Sequence, residues 1–169
     1  MIIEFFTPGE PVGQPRPRAC VRGKRKAGLV KRVCKRCGLT TQEISFKATA
    51  GVYDPDTAEE WKTRVALAAK RWRPKAPLEG PIRLTIHHHM PRPLEHWKAR
   101  RAGGVLREDA PQHHTVKYDL DNLEKAAMDA LTKAGIWRDD CQVCQKIGTK
   151  RYIAPGERVG AMVRIETVE

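Results

Sequence analysis

Residues 82–90 read Ile-Arg-Leu-Thr-Ile-His-His-His-Met, with Ile82, Leu84, Ile86, His88 and Met90 alternating against Arg83, Thr85, His87 and His89. Successive strand side chains point to opposite faces, so this period describes a strand with one face buried and one face wet. Such a strand needs sheet neighbours and an apolar layer over its inner face. The rest of the chain offers both. Ala58, Trp61, Val65, Ala68 and Trp72 recur at three- and four-residue steps and predict an amphipathic helix over about 56–72, entered through Asp54-Pro55-Asp56-Thr57. Leu123, Ala127, Ala130, Leu131 and Ala134 predict a second helix over about 121–134, stopped by Gly135. Residues 2–6, 142–153 and 159–168 carry the β-rich composition of strands, the last two joined by a turn at Ala154-Pro155-Gly156-Glu157. The order β, α, β, α, β, β indicates an α+β fold.

Two stretches lie outside this pattern. The first, reaching to about Tyr53, is rich in Pro, Arg and Gly and reads as a loop without regular structure; the second, 91–114, is polar, basic and broken by Pro and Gly. Unstructured connections of that length are usually functional or disordered. With 169 residues the chain fits one domain, and its net charge of +12 points to a polyanionic partner. No apolar run approaches a membrane span, no basic leader region precedes residues 2–6, and neither terminus carries a basic amphipathic helix, so a soluble, cytoplasmic protein that binds nucleic acid is expected. No acidic residue falls between Glu10 and Glu43, where ten Lys and Arg residues cluster. Arg16, Arg18, Lys24, Arg25 and Lys26 there, with Arg100 and Arg101 in the second loop, are the candidate phosphate contacts; the bland alternative is a solvated loop.

The chemistry concentrates in residues 117–125, Lys-Tyr-Asp-Leu-Asp-Asn-Leu-Glu-Lys. Asp119 and Asp121 are two apart where an extended piece enters the helix, and so converge on one side. Carboxylates so placed suit Mg²⁺, which takes one or two of them and completes its shell with water and phosphate oxygens. Asp139 and Asp140, between the helix stop and the next strand, offer a third acidic source if the Gly135–Arg138 connection folds back across a helix of roughly 20 Å. Lys125, one turn after Asp121, is placed to support a phosphate or a leaving oxygen. The bland readings stand beside these: Asp121-x-x-Glu124 as a capping box, and Asp121/Lys125 as a surface ion pair.

Asp119-Leu-Asp121-Asn122-Leu-Glu-Lys125, followed after one helix by Asp139-Asp140-Cys-Gln142, resembles the RusA-type Holliday-junction resolvases. So do the early GEPVGQPRPR, the VYDPDTAEEW helix entry, PIRLTIHHHMPRP, HTVKYDLDN, and a closing strand pair with KRY (150–152) and GAMVRIE (160–166). The resemblance covers nearly the whole chain apart from a basic, Cys-containing insertion at about 19–46. It implies a single-domain mixed sheet packed against two main helices. It also implies a homodimer that nicks two opposed strands of a four-way DNA junction in recombination and repair. It assigns Asp119, Asp121 and Asp140, with Asp139 beside them, to Mg²⁺ (or Mn²⁺) and Lys125 to catalytic support. A phage or prophage setting fits by analogy.

Five cysteines in such a chain read as thiols or zinc ligands. Cys34-Lys-Arg-Cys37 has the spacing of half a zinc knuckle, with Cys20 or the Cys141/Cys144 pair as candidates for the remaining ligands, and reduced thiols on a basic loop as the alternative. His87, His88 and His89 alternate across a strand and cannot share one ion. His113 and His114 are placed to touch phosphate, Gln142 to reach substrate or a metal-bound group. Trp61 and Trp72 belong to the core, and Trp97 is the candidate for base stacking. The rival function is a non-catalytic, junction- or DNA-binding protein with a zinc knuckle, in which the aspartates only cap a helix.

Overall fold

The computed structural model describes residues 1–15, 18–23, 28–33, 40–45, 48–53, 58–98, 102 and 104–168, and within 18–53 the backbone alone. The chain divides into two compact units, Met1–Pro15 with Asp56–Glu169, and Arg16–Pro55. The larger unit contains strand β1 (Ile2–Pro8), helix α1 (Glu59–Lys70), strand β6 (Ile82–Met90), helix α2 (Leu120–Ala134), and strands β7 (Val143–Tyr152) and β8 (Gly160–Thr167). The smaller holds β2 (Arg18–Gly23), β3 (Gly28–Val33), β4 (Thr40–Ser45) and β5 (Ala48–Tyr53), with β2 paired to β5 and β3 to β4, both antiparallel. The loop expected over this stretch is therefore incorrect. Val21, Val30, Val33, Thr40, Thr41, Ile44, Thr49 and Val52 give each segment the β-branched content of a strand, and the interspersed Lys, Arg and Gly hid it.

In the larger unit the elements follow the expected order β, α, β, α, β, β. The sheet is mixed, in the order β1-β8-β6-β7: β8 pairs antiparallel with β1 and β6, while β6 and β7 run parallel. A parallel neighbour demands a crossover, and α2 provides it. β7 and β8 are thus not a hairpin; β6 separates them. Both helices cover one face. Ile3 and Phe5 from β1, Ile82, Leu84 and Ile86 from β6, and Ala161, Val163 and Ile165 from β8 meet Trp61, Val65 and Ala69 of α1 and Ala126, Ala127, Ala130 and Leu131 of α2. The alanines keep α2 close to the sheet, and Lys62 links the helices through Asp129 at 3.4 Å. Gly135, with φ 74°, supplies the left-handed residue that ends α2.

The opposite face of the sheet is polar. Arg83 donates to Gln145 at 2.6 Å, His87 bonds Thr149 at 2.7 Å, and Arg164 donates to Glu166 at 2.8 Å. The three histidines split as the alternation requires, His88 buried inward and His87 and His89 on the outer face. Trp61 is core, but Trp72 is half exposed: α1 ends at Lys70 and the chain turns, taking Trp72 out of helical phase.

The inward face of β7 presents Lys146, Gly148, Lys150 and Tyr152 to α2. The Glu124 carboxylate, almost fully buried, reaches Lys146 Nζ at 2.6 Å, and a Cβ on Gly148 would fall 1.5 Å from Glu124 Oε1. Glycine at 148 thus makes room for the side chain that locks α2 to the edge strand. Replacing Lys146 by methionine leaves this carboxylate buried without its cation; denaturant unfolding should show a loss of about 1–3 kcal/mol, reduced by the partial exposure of Lys146.

Candidate functional site

The chain enters α2 through an irregular piece that ends at Asp119, an extended residue (φ −67°, ψ 145°) in the N-cap position. An N-cap aspartate normally spends its carboxylate on the first-turn amides. Asp119 makes no such bond; it is exposed, and its nearest side-chain partner is Asn122 Nδ2 at a weak 3.5 Å. Asp121 is exposed in the first turn, and Glu124 is committed to Lys146, so the capping-box alternative fails. No ion pair joins Asp121 to Lys125, which is exposed one turn further on. Among the described residues, two carboxylates and an ammonium therefore stand without an ion-pair partner at one end of α2.

The surroundings hold this end firmly. Gln14 N–H donates to Asn122 O at 2.9 Å, and a Cβ on Gly13 would lie 3.0 Å from Tyr118 Cβ, so the segment 11–15 lies directly against the helix start. Lys150 Nζ donates to the carbonyls of Val116 at 3.0 Å and Tyr118 at 2.5 Å. Beneath lies His88, fully buried with neither ring nitrogen partnered; burial first, then His87, His89 and Lys150, push its imidazole down to about 4. Sequence reasoning gave roles to neither Lys150 nor Gly13-Gln14. Their signals were the Lys-Arg-Tyr of 150–152 and the Pro-flanked glycine, quoted for the resemblance without a mechanism.

The second acidic pair lies at the other end. Asp139 caps a 3-10 turn over Asp140–Gln142: its Oδ1 accepts from Cys141 N at 2.9 Å, which holds its carboxyl below the usual range. Gln142 accepts from Arg138 N at 3.0 Å and Asp139 N at 3.3 Å, and donates to Leu78 O at 2.9 Å and Gly80 O at 3.2 Å. Within Asp139-Asp140-Cys-Gln142, then, the first and last residues build the turn, and Asp140 is left exposed and free of that task. The connection after α2 does not double back. Trp137 bridges to Leu78 and Gln142 clamps the approach to β6, whereas Asp119 belongs beside the end of β7, where Lys150 reaches its neighbour Tyr118. Because β6 and β7 are parallel neighbours, the start of β6 and the end of β7 lie at opposite ends of the strands, separated by 15 residues of helix, about 22 Å. Within one chain Asp140 does not join Asp119 and Asp121, and no group of three His, Cys, Asp or Glu is arranged to hold a metal among the described residues.

Other expected contacts are revised. Trp97 is buried, its strand-like bridge to Leu106 closing a turn of the 91–114 loop, so it cannot stack on a base. His114 is buried, its ring centroid 4.8 Å from that of Tyr152, and burial first and then Lys150 lower its pKa; the side chain is not on the surface where a phosphate would lie. Arg92 donates to Ile153 O at 2.6 Å and Pro111 O at 2.8 Å and stacks on Tyr152, and Arg107 pairs with Asp109 at 2.9 Å. These two arginines staple the loop. Arg16, Lys24, Arg25, Lys26, Arg100, Arg101, Cys34 and Cys37 lie outside the described residues, as do the side chains of Arg18 and Cys20. Cys144 donates its S–H to Ile82 O at 3.5 Å, and the hydrogen bond with the Asp139 side chain pushes the Cys141 thiol up.

The larger unit is thus a two-layer α+β fold whose crossover helix begins at two exposed aspartates, Asp119 and Asp121. The model of the endodeoxyribonuclease RusA family matches residues 39–166, and the chain belongs to that family. It is 28% identical over 167 residues to the uncharacterized protein YqaN of Bacillus subtilis, covering 96% of this chain and 95% of that one. Over 41 residues, 24% of this chain and 34% of the relative, it is 56% identical to the crossover junction endodeoxyribonuclease RusA of Escherichia coli K12. A stretch of the same length is 54% identical to the enzyme of that name from Enterobacteria phage 82.

Two measurements check this geometry. Gln142→Ala removes both ends of the clamp and should cost about 2 kcal/mol in denaturant unfolding. Unfolded histidine titrates near 6.5 and folded His88 near 4, so this residue's stability is complete above pH 6.5 and is lost as pH falls toward 4. The loss amounts to about 3 kcal/mol. Melting curves of His88→Leu should accordingly fall less steeply across that window than those of wild type.

Proposed function

We propose that this protein is a homodimeric, Mg²⁺-dependent endonuclease that cleaves four-way DNA junctions by paired nicks in recombination and repair, with Mn²⁺ able to substitute. The observation that carries the reading is the pair Asp119/Asp121, two exposed carboxylates left out of helix capping at the start of a 15-residue helix. On a DNA-binding surface, carboxylates repel phosphate unless a cation intervenes. The donor set fits a hard, oxygen-seeking ion: Asp119 and Asp121 would hold it, and Asp140 would complete the set. The ion would supply a water nucleophile at neutral pH and stabilise charge on the phosphate. Around it the chain's own groups have defined tasks. Lys125 Nζ meets the phosphate or the leaving oxygen, Asn122 orients Asp119, and the open amides at the start of α2 favour an anion there.

The separation of the carboxylates supports the dimeric reading. β7 is an edge strand whose middle is exposed, including Ile147, and an exposed edge is a template for pairing. A two-fold that sets two β7 edges antiparallel carries Asp140 of each copy toward the Asp119 end of the other, and gives two like sites for two opposed strands. Arg18 and the basic residues of 14–36 and 92–107 not used as staples would contact phosphates.

The test is cleavage of a labelled four-way junction beside linear duplex, with Mg²⁺ or EDTA. Wild type should nick the junction in symmetric pairs, whereas Asp119→Asn and Asp140→Asn should each be inactive, a loss of at least about 100-fold. Mixing the two inactive variants after subunit exchange should restore about a quarter of the sites, because each mixed dimer rebuilds one shared site. Tight junction binding without nicks under any divalent ion would point instead to a binding protein.

A further inference from the structure

We propose that Lys150 is a positioning residue for the carboxylate pair, holding the piece of chain that delivers Asp119. The inference rests on the reading of Asp119 and Asp121 as metal ligands. β7 carries two lysines on its inward face, and they are used differently. Lys146 meets a carboxylate, Glu124. Lys150, half-buried and level with His88 on β6, meets none among the described residues; its ammonium bonds the backbone carbonyls of Val116 and Tyr118. A cation in that position gains nothing from the adjacent helix, whose start is the positive end of its dipole. Its two carbonyl bonds are what retain it.

The segment 115–118 belongs to no helix or strand. Its exit into Asp119 decides where that carboxylate points, because Asp119 is extended and has no cap bond to fix it. The chain bends at 116–118, and the Val116 and Tyr118 carbonyls both reach the one ammonium, which fixes the backbone immediately before Asp119. Gly13 closes against Tyr118 from the other side, at 3.0 Å to its Cβ. Lys150 is thus the sheet's direct link to the metal end of α2. Residues that orient ligands in this way commonly control metal affinity by an order of magnitude or more.

The test uses full-length Lys150→Met, which keeps the aliphatic stem, and Lys150→Arg, whose guanidinium can still donate to two carbonyls. Mn²⁺ binding to the DNA-free protein is measured by calorimetry, together with melting temperature, sedimentation, junction affinity in EDTA, and the Mg²⁺ dependence of cleavage. The expected result for Lys150→Met is roughly tenfold weaker Mn²⁺ binding, and a matching rise in the Mg²⁺ needed for half-maximal cleavage. Dimerisation and junction affinity should be unchanged, the melting temperature should fall by no more than about 4 °C, and Lys150→Arg should recover most of the loss. Wild-type Mn²⁺ affinity in Lys150→Met overturns the proposal, as does a loss that tracks unfolding and is not rescued by arginine. Cleavage abolished at saturating Mg²⁺ with metal affinity intact also overturns it, placing Lys150 on the substrate instead. A wild-type protein that neither binds Mn²⁺ nor cuts junctions removes the metal reading itself; one that does both while Lys150→Met is unaltered removes only this inference.

Discussion

The contact on which the rest depends is the seating of α2 on β7, an apolar helix laid over a strand that is itself only an edge. Edge strands are weakly held, and on its far side β7 is met among the described residues only near its end, where His113 bridges to Arg151 and Tyr152 N–H donates to Gln112 O. Beyond its ladder with β6, what fixes it is electrostatic and local: the Glu124–Lys146 pair in the first third of α2, and the Lys150 grip on the chain just before the helix. An ion pair of this kind is a poor source of net stability, since desolvating the carboxylate offsets much of the attraction. It is a good source of register. Sliding β7 by one residue would turn Lys146 and Lys150 to the outer face and Gly148 with them, leaving Glu124 buried against a side chain where it now has room.

The same helix places aspartates at both of its ends. Four aspartates occur near the two ends of α2, and their surroundings sort them. Asp139 is consumed by its turn, while Asp119, Asp121 and Asp140 are not. The same sorting applies to the basic residues of the 91–114 loop, where Arg92 and Arg107 hold the loop's shape. Counting charges would have assigned them all to DNA.

Much of this was legible in the sequence because it depends on short-range periodicity. The alternation of 82–90, the apolar stripes of both helices and the glycine stop at 135 follow from backbone geometry, and each element formed where its pattern placed it. The misses share a cause. Whether Trp72 and Trp97 are inside depends on where a helix stops and how a loop closes, and whether 18–53 pairs with itself depends on contacts across tens of residues. Local composition carries neither. The candidate site divided along the same line: the spacing of Asp119 and Asp121 placed two carboxylates together at the helix start, but the direction taken by 135–138, set by Trp137 against Leu78 and by the Gln142 clamp, could not be read from adjacent residues.

The smaller unit carries one more lesson. Arg18 opposes Tyr53 at the base of the β2–β5 ladder, so the segment leaves and re-enters the chain at nearly the same point. An insertion anchored in this way is topologically a side branch. It can lengthen, shorten or be exchanged without altering the path from β1 to α1, because the entropic cost of closing a loop grows only slowly with its length. A longer or shorter branch at this point would therefore leave the ladder at its base, Arg18 opposite Tyr53, as the only junction to be kept.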